Sequence, residues 1–186
     1  MNNERTRVCP VELANSLDSK IRRWLQNPRK ILSPYVKEGM KVLDVGCGPG
    51  FFSVELAKMV GAEGKVYSVD LQEGMLQIVR NKIQGTSLEK IVQLIKCEKD
   101  KIVIPEKVDF ILAFYMVHEV PDKDKFFATI KNFLNDRGEL LIVEPKLFHV
   151  SKKEFSSTIS KAEAVGFKAA EGAKLPFSFS SVLKIN

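Results

Sequence analysis

Residues 42–50 read VLDVGCGPG, and the other elements of the predicted fold can be placed relative to this stretch. Apolar, β-favouring residues and Asp44 come first, glycines at every second position follow, and an apolar helical pattern begins at Phe51. This order predicts a strand, a tight turn and a helix. Because glycine lacks a Cβ and the first helical turn has N–H groups without helical partners, a polar ligand can lie directly against the main chain. The stretch therefore predicts a ligand-binding turn.

The spacing of the glycines distinguishes between ligands. A dinucleotide-binding turn follows the pattern GxGxxG, but the position three after Gly48 is Phe51. The pattern DxGxGxG instead resembles motif I of the class I S-adenosylmethionine-dependent methyltransferases. The next predicted strand, 65–69, is followed by Asp70, whose carboxylate can accept hydrogen bonds from both hydroxyls of a ribose. NAD-linked enzymes use the same acid, so an NAD-linked oxidoreductase stays open as an alternative, as does a glycine-rich turn without a ligand.

Length and composition indicate a single globular domain, because the chain has 186 residues, of which 45% are hydrophobic and 28% charged. The longest apolar run, 110–117, is too short to span a membrane, and the polar start lacks a signal peptide's apolar core, so a cytoplasmic location is expected. Cys9, Cys47 and Cys97 form no CxxC pair. We therefore expect neither a disulfide framework nor a metal site.

The formal net charge of +6 is mostly spread among acidic residues, as on an ordinary solvated surface. Basic residues cluster at Arg22, Arg23, Arg29 and Lys30. This cluster leaves a nucleic-acid partner open, although no RNA-binding motif accompanies it. The sequence gives no indication of the oligomeric state.

Strands and helices alternate from residue 41 onward. Strands are predicted at 41–45, 65–69, 91–95, 110–114 and 139–143, with helices at about 51–60, 72–84 and after an N-cap at Asp122. The residues 136–138 are predicted to form a turn before the fifth strand. A helix with a capping box at Ser151 precedes two final strands, 167–171 and 177–185, which are too close in sequence for a crossover helix and should pair antiparallel.

Class I methyltransferases share this ending, so the resemblance extends over about residues 38–186. It implies a three-layer, Rossmann-like α/β fold with seven strands in the order 3-2-1-4-5-7-6 and an antiparallel last strand. It also implies a methyltransferase that uses S-adenosyl-L-methionine and releases S-adenosyl-L-homocysteine. The chain is most similar to the small-molecule branch that includes quinone-biosynthesis and arsenite methyltransferases.

Residues 1–37 are predicted to form an N-terminal helical segment. Its main helix is predicted over about residues 11–25, where apolar residues recur at helical spacing: Leu13, Leu17, Ile21, Trp24 and Leu25. In the resembling enzymes the segment before the first strand commonly crosses the carboxyl ends of the strands. We therefore expect residues 9–25 to form a lid over the acceptor pocket, with Cys9 and Trp24 near it. Packing against the side of the sheet is the alternative.

The resemblance also implies a set of cofactor-binding residues. The glycine turn, including Cys47, would lie against the methionine end of the cofactor, Asp44 near its ammonium group and Asp70 at its ribose. The other residues of this set would contact adenine or form the floor of the site. The full predicted set is Asp44, Gly46, Cys47, Gly48, Gly50, Asp70, Leu71, Met75, Cys97, Glu98 and Phe114.

Two further residues are candidates for catalysis because they follow the fourth and fifth strands, where open α/β sheets bind ligands. His118 can accept a proton near neutral pH, and Glu144 can orient a substrate. Structural hydrogen bonding is the alternative for both, and Lys146 and His149 are weaker candidates. The acceptor is expected to be a small molecule, while a regulatory or RNA-methylating protein with the same fold stays open.

Overall fold

The computed structural model describes residues 11, 26–98, 101–146 and 150–185. The strands are β1 (Lys41–Val45), β2 (Lys65–Asp70), β3 (Val92–Lys96), β4 (Val108–Phe114), β5 (Leu134–Pro145), β6 (Phe167–Glu171) and β7 (Ser178–Ile185). The α-helices are α1 (Pro28–Leu32), α2 (Ser53–Val60), α3 (Glu73–Ile83), α4 (Lys123–Phe133) and α5 (Lys152–Ala164). Short 3₁₀ turns at Ser87–Lys90 and Val117–Glu119 precede β3 and α4, respectively.

The seven strands form one sheet in the order β3-β2-β1-β4-β5-β7-β6, which confirms the predicted order. The first five strands are parallel, and β7 runs antiparallel to both β5 and β6. The strand order reverses between β1 and β4, where Val45 pairs with Ala113. In open α/β sheets this switch point lies beside the ligand-binding crevice. The glycine turn and the residues after β4 therefore meet at the edge where a ligand is expected.

Apolar side chains cover both faces of the sheet and give the predicted three layers. One face packs against α2 and α3 through residues such as Leu56 and Ile83, and the other packs against α4 through Phe127 and Ile130. Helix α1 belongs to the first of these layers, because its Leu32 is part of the same buried cluster. Burial on both faces explains why the central strands carry nearly continuous apolar runs.

Two predicted helix starts are confirmed by their cap hydrogen bonds. The Asp122 side chain accepts from the backbone N–H of Lys125 at 3.0 Å and caps α4. At the start of α5, Ser151 Oγ accepts from the N–H of Glu154 at 3.2 Å, and Glu154 Oε2 accepts from the N–H of Ser151 at 2.8 Å. These reciprocal bonds form the capping box that the sequence predicted.

The predicted start of the fifth strand was wrong. Residues 136–138 lie within β5, and the register between β4 and β5 shifts there. Asn135 Nδ2 donates to Asp109 Oδ1 at 2.7 Å, so the irregular part of β5 stays attached to β4. Gly138 allows the backbone to pass close to the Leu134 side chain, because an added Cβ would lie 2.8 Å from a methyl carbon of Leu134. The turn-forming residues thus make a bulge inside a longer strand.

The predicted N-terminal helix and lid lie outside the described residues, apart from Val11, and so do Cys9, Trp24 and His149. They stay predictions. Val11 itself packs against the first turn of α3, where an added Cβ on Gly74 would lie 3.1 Å from its methyl carbons. Across the described part of the chain, no helix has the length and apolar character needed to cross a membrane.

Candidate active site

The site begins with Asp70 at the carboxyl end of β2. Its two carboxylate oxygens accept backbone hydrogen bonds from Gly48, at 2.9 Å, and from Gln72, at 2.8 Å. The side chain thereby links the glycine turn after β1 to the first residues after β2. Burial raises the pKa of Asp70, and the backbone hydrogen bonds oppose this shift. A carboxylate with two oxygens has further lone pairs for a ligand hydroxyl.

The glycines of the turn differ in what surrounds them. An added Cβ at Gly48 would meet nothing within 4 Å, so this residue faces open space. An added Cβ at Gly50 would lie 2.9 Å from Cγ2 of Val79 on α3. Gly46 is also closely packed, with Met116 Cβ at 3.0 Å from the corresponding position. The structure therefore gives Gly46 and Gly50 a packing role, which the sequence did not indicate, and leaves Gly48 facing the crevice.

Asp44, near the end of β1, and Cys47, within the turn, are both buried. Asp44 Oδ2 accepts a hydrogen bond of 2.6 Å from the hydroxyl of Ser53, in the first turn of α2. Burial raises the pKa of Cys47 well above its ordinary value, and the nearby carboxylates of Asp44 and Asp70 raise it further. Cys47 is therefore a neutral thiol, and its place in the turn is compatible with packing rather than nucleophilic chemistry.

The predicted adenine contacts are spread around the carboxyl ends of β2 and β3. The backbone N–H of Cys97 donates to the carbonyl of Asp70 at 3.0 Å, and burial raises the pKa of this thiol to about 11. Glu98 is exposed, whereas Leu71, directly after β2, is half-buried. Met75 is buried on α3. Of this group, Cys97 and Leu71 thus both lie next to Asp70 and have accessible surface.

His118 and Glu144 come together at the ends of the neighbouring strands β4 and β5. His118 Nδ1 lies 2.5 Å from Glu144 Oε2, and Glu144 Oε1 accepts the backbone N–H of Val117 at 2.8 Å. The Glu144 side chain is 2% exposed. Burial alone lowers the pKa of His118, but the hydrogen bond and charge of Glu144, with a contribution from Glu119, raise it above its ordinary value. The sequence predicted both residues separately, and the structure joins them as a pair.

Lys146, the weaker candidate next to this pair, is engaged elsewhere. Its Nζ lies 5.0 Å from the centre of the Phe179 ring, and its backbone N–H donates to the carbonyl of Phe177. The contact with the Phe179 ring directs the side chain toward β7.

Aromatic rings border the site on the side of α2. The ring of Phe114 lies 4.4 Å from that of Phe52 and 4.5 Å from that of Tyr115, measured between centroids. Phe114 is in the predicted set of cofactor-binding residues, and Tyr115 is not. The signal was present, because Tyr115 is the first residue after a buried central strand at the predicted ligand-binding edge.

Comparison with known proteins fits this arrangement of strand ends and glycine turn. A family model described as a methyltransferase domain matches residues 36–184. The chain belongs to this methyltransferase family. The match decides against an NAD-linked oxidoreductase, the alternative that the acid after β2 had left open.

The methyltransferase also resembles proteins of known structure or curated function. A S-adenosylmethionine-dependent methyltransferase from Aquifex aeolicus is 31% identical, with a TM-score of 0.85 over 96% of this chain and 100% of that one. The ubiquinone/menaquinone biosynthesis C-methyltransferase UbiE of Idiomarina loihiensis is 30% identical over 59% of this chain and 44% of its own length. The demethylmenaquinone methyltransferase of Lactobacillus johnsonii is 33% identical over 59% of this chain and 45% of its own length. The chain spans less than half the length of these two curated relatives.

S-adenosylmethionine is the cofactor of this methyltransferase, and the local geometry fits it at two points. Gly48 faces open space above the turn, so its backbone can approach a ligand closely. Asp70 presents a buried carboxylate beside that space, held in place by backbone donors on both oxygens. A ligand with hydroxyl groups and a polar chain therefore has partners here without rearrangement of the backbone.

Proposed function

We propose that this methyltransferase transfers the methyl group of S-adenosylmethionine to a small-molecule acceptor at the carboxyl ends of β4 and β5, with His118 as proton acceptor. One observation supports this proposal above all. The imidazole of His118 and the carboxylate of Glu144 are 2.5 Å apart at the sheet edge that also carries the glycine turn. Open α/β sheets bind their ligands at this edge.

The cofactor would be held by groups that lie along the ends of β1 and β2. In this proposal the turn 46–50, with Cys47 inside it, supports the methionine end, and Asp44 lies near the ammonium group. Asp70 accepts from the ribose hydroxyls, while Leu71 and Cys97 border adenine. Bound S-adenosylmethionine supplies a methyl group on a positively charged sulfur, which makes that methyl electrophilic. Alignment of the reactants is then the main task of the protein.

The His118–Glu144 pair suits an acceptor that loses a proton when it is methylated. A neutral imidazole can take that proton, and the adjacent carboxylate stabilises the imidazolium that forms. Because Glu144 also accepts the backbone N–H groups of Val117 and His118, the pair is fixed to the end of β4. The raised pKa of His118 means that more of the imidazole is protonated near neutral pH than in a free histidine. The rate should therefore rise with pH as His118 loses its proton.

A hydroquinone is the first acceptor class to test. The curated relatives named above act, by their names, in ubiquinone and menaquinone biosynthesis and on demethylmenaquinone. A hydroquinone has an acidic hydroxyl group, and loss of its proton increases the nucleophilicity of the ring carbons. Proton acceptance by the imidazole would thus assist either carbon or oxygen methylation.

The test is release of S-adenosylhomocysteine by the purified protein with a reduced demethylmenaquinone analogue, simple phenols, amines, thiols, arsenite or RNA. His118→Asn and Glu144→Gln are compared with Glu119→Gln, whose carboxylate lies 4.0 Å from Nε2 of His118. We expect turnover with the hydroquinone, a loss of about 100-fold or more in kcat for His118→Asn, and little change in cofactor Kd. Glu144→Gln should lower the apparent pKa of the pH–rate profile, whereas Glu119→Gln should shift it less.

Different results would separate the parts of the proposal. Turnover of RNA alone would contradict the small-molecule acceptor. Turnover of a small molecule with unchanged kcat in His118→Asn would contradict the proton-accepting role and leave alignment as the source of the rate. Equal losses of cofactor affinity and kcat would place His118 among the cofactor-binding or structural residues.

A further inference from the structure

Phe177, in the link between β6 and β7, exposes its ring to solvent. It is 65% exposed, and Val103, at 58%, is the other exposed large apolar residue in the part of the chain that the structure describes. Leu175, from the same link, packs instead against the buried core on the side of α2. A single exposed apolar side chain is common on protein surfaces. The backbone and the position of Phe177 therefore decide whether its exposure has a function.

The backbone of Phe177 is strained. Its φ is +55°, in the left-handed region that bulky non-glycine residues seldom adopt. Glycine or asparagine would adopt this conformation at a lower cost. Strain of this kind persists where the surroundings fix it, and it is concentrated at functional sites. Phe177 thus combines an exposed ring with a strained backbone, and neither feature stabilises the folded chain.

Hydrogen bonds at Phe177 and beside it hold this conformation. The backbone N–H of Lys146, at the end of β5, donates to the carbonyl of Phe177 at 2.9 Å. Ser178, the next residue in the chain, is buried, and its Oγ donates to the carbonyl of Pro176 at 3.2 Å. The backbone on both sides of Phe177 is therefore fixed, while the ring stays exposed.

The register between β5 and β7 places Phe177 beside the proposed acceptor site. Glu144, the partner of His118, lies opposite Phe179 in this antiparallel pair. Phe177 is two residues farther out, which is about 7 Å past the level of Glu144 along the strand direction. The displacement leads away from the carboxyl end of β5, where open α/β sheets bind their ligands. An acceptor whose reacting group reaches the His118–Glu144 pair can therefore extend toward the exposed ring.

We propose that Phe177 is a specificity-determining residue whose ring binds an apolar substituent of the methyl acceptor. This inference rests on the proposed function, because it takes the acceptor to react at the His118–Glu144 pair. A substituent that covers the ring removes apolar surface of both groups from water, and this burial favours binding. An acceptor without the substituent lacks the contact. The protein should therefore bind a ring that carries a hydrocarbon chain more tightly than the same ring without one.

Two hydroquinones, 1,4-naphthohydroquinone and its 2-geranyl derivative, test this preference without turnover. Anaerobic titration calorimetry on protein saturated with S-adenosylhomocysteine gives the ratio of their Kd values. We expect the unmodified protein to bind the geranyl compound more tightly, and Phe177→Asn to reduce this preference about 5- to 50-fold. Phe177→Tyr should keep most of the preference, because it keeps the ring. Val103→Asn removes the other exposed apolar side chain and should leave the ratio within about twofold.

Urea unfolding separates this role from a structural one. Asparagine tolerates the left-handed backbone better than phenylalanine does, so Phe177→Asn should have an unchanged or higher urea midpoint. If this variant shows no cooperative unfolding, Phe177→Gly replaces it with the same expected outcomes. A lower midpoint, with equal losses of affinity for both compounds, would make Phe177 a packing residue and overturn the proposal.

Other results would also overturn the proposal. These are equal Kd values for the two compounds in the unmodified protein, binding of neither compound, and an unchanged ratio in Phe177→Asn. A change from dimer to monomer in sedimentation of Phe177→Asn, with an unchanged ratio, would mean that the ring contacts a second copy of the chain instead. Methyl transfer is scored separately. The hydroquinone part of the proposed function fails if neither compound is methylated, whereas this inference fails if the ratio does not depend on Phe177.

Discussion

At the scale of single residues, Asp70 has two tasks that a substitution cannot separate completely. It is predicted to hold the ribose, and it also accepts backbone hydrogen bonds from Gly48 and Gln72. Asp70→Ala should therefore weaken cofactor binding by about 1–3 kcal/mol and also lower the free energy of unfolding by about 1–3 kcal/mol, since buried N–H groups lose their acceptor. Calorimetry and urea unfolding without ligand measure the two effects.

Asp70→Asn is the matched control, because it keeps the shape and one acceptor oxygen. Its loss of stability should be smaller than that of Asp70→Ala. Unchanged stability in Asp70→Ala would contradict the structural role of the backbone hydrogen bonds, and an unchanged Kd would remove Asp70 from the site.

The His118–Glu144 pair predicts a pH dependence of stability. The pKa of His118 is raised in the folded protein, so its pairing contributes fully below the unfolded-state pKa of about 6.5 and is lost as pH rises through the higher folded-state pKa. Glu144→Gln should accordingly reduce the free energy of unfolding more at acidic than at alkaline pH. Urea unfolding of both proteins between about pH 5.5 and 9 measures this difference.

Part of the cost of Glu144→Gln should not depend on pH, because Glu144 also accepts the backbone N–H of Val117. Glu119→Gln should give a smaller pH-dependent difference, because the Glu119 carboxylate lies 4.0 Å from Nε2 of His118. A loss that is the same at every pH would mean that the imidazolium–carboxylate interaction contributes little to stability.

Position in the chain was enough to predict single candidate residues of the site. Asp70 ends β2 and Glu144 is the last residue but one of β5, and residues at the carboxyl ends of strands lie at the ligand-binding edge whatever the details of packing. The His118–Glu144 contact depends on the pairing of β4 with β5, in which Phe114 lies beside Val143. The left-handed φ of Tyr115 depends on its surroundings as well. Neither feature leaves a local pattern in the sequence.

At the scale of elements, the glycines of the turn differ in their expected roles: Gly48 borders the crevice and Gly50 packs against α3. Gly48→Ala places a Cβ in the open crevice, whereas Gly50→Ala places one 2.9 Å from Val79 and presses α2 away from α3. Both have positive φ, so both carry a strain of about 1–2 kcal/mol. We expect Gly50→Ala to lose a further 1–3 kcal/mol, roughly, of unfolding free energy through overpacking.

Cofactor binding should respond differently to the two substitutions. Gly48→Ala should raise the Kd for S-adenosylhomocysteine by more than its loss of stability explains, because the new methyl group occupies the space above the turn. Urea unfolding and calorimetry on both variants test this pair. A larger loss of stability in Gly48→Ala than in Gly50→Ala would contradict the assignment of the two glycines.

The elements themselves were predictable to different degrees. The cap at Asp122 and the capping box at Ser151 are local, so their helices begin where the sequence predicted. Residues 136–138 have the composition of a turn, yet they lie in β5 because Asn135 bonds to Asp109 on the neighbouring strand. A contact between strands thus outweighed a local turn preference, which a single sequence cannot reveal.

At the scale of the whole molecule, the resemblance to class I methyltransferases implied the strand order, and the lengths of the connections indicated the strand directions. The connections between the first five strands are long enough for parallel pairing, and the short link 172–176 requires an antiparallel partner. The arrangement of the N-terminal residues did not follow in this way, because an amphipathic pattern identifies an apolar face and not its partner. Helix α1 was assigned to a separate segment ending at residue 37, and its side chains pack into the core of the sheet domain.

This packing predicts that α1 is part of the same cooperative unit as the sheet. Leu32 is 0% exposed, and Tyr35 stacks on Phe110 of β4 with 5.7 Å between ring centroids. Leu32→Ala should therefore lower the free energy of unfolding by about 2–5 kcal/mol, as for a central core leucine, within a single transition. Lys30→Ala, on the exposed side of the same helix, should change it by less than about 0.5 kcal/mol. Urea unfolding followed by tryptophan fluorescence and by circular dichroism tests both. A Leu32→Ala protein with unchanged stability, or with a separate early transition, would show that α1 is an appendage of the domain; a shared shift of both signals would place it in the core.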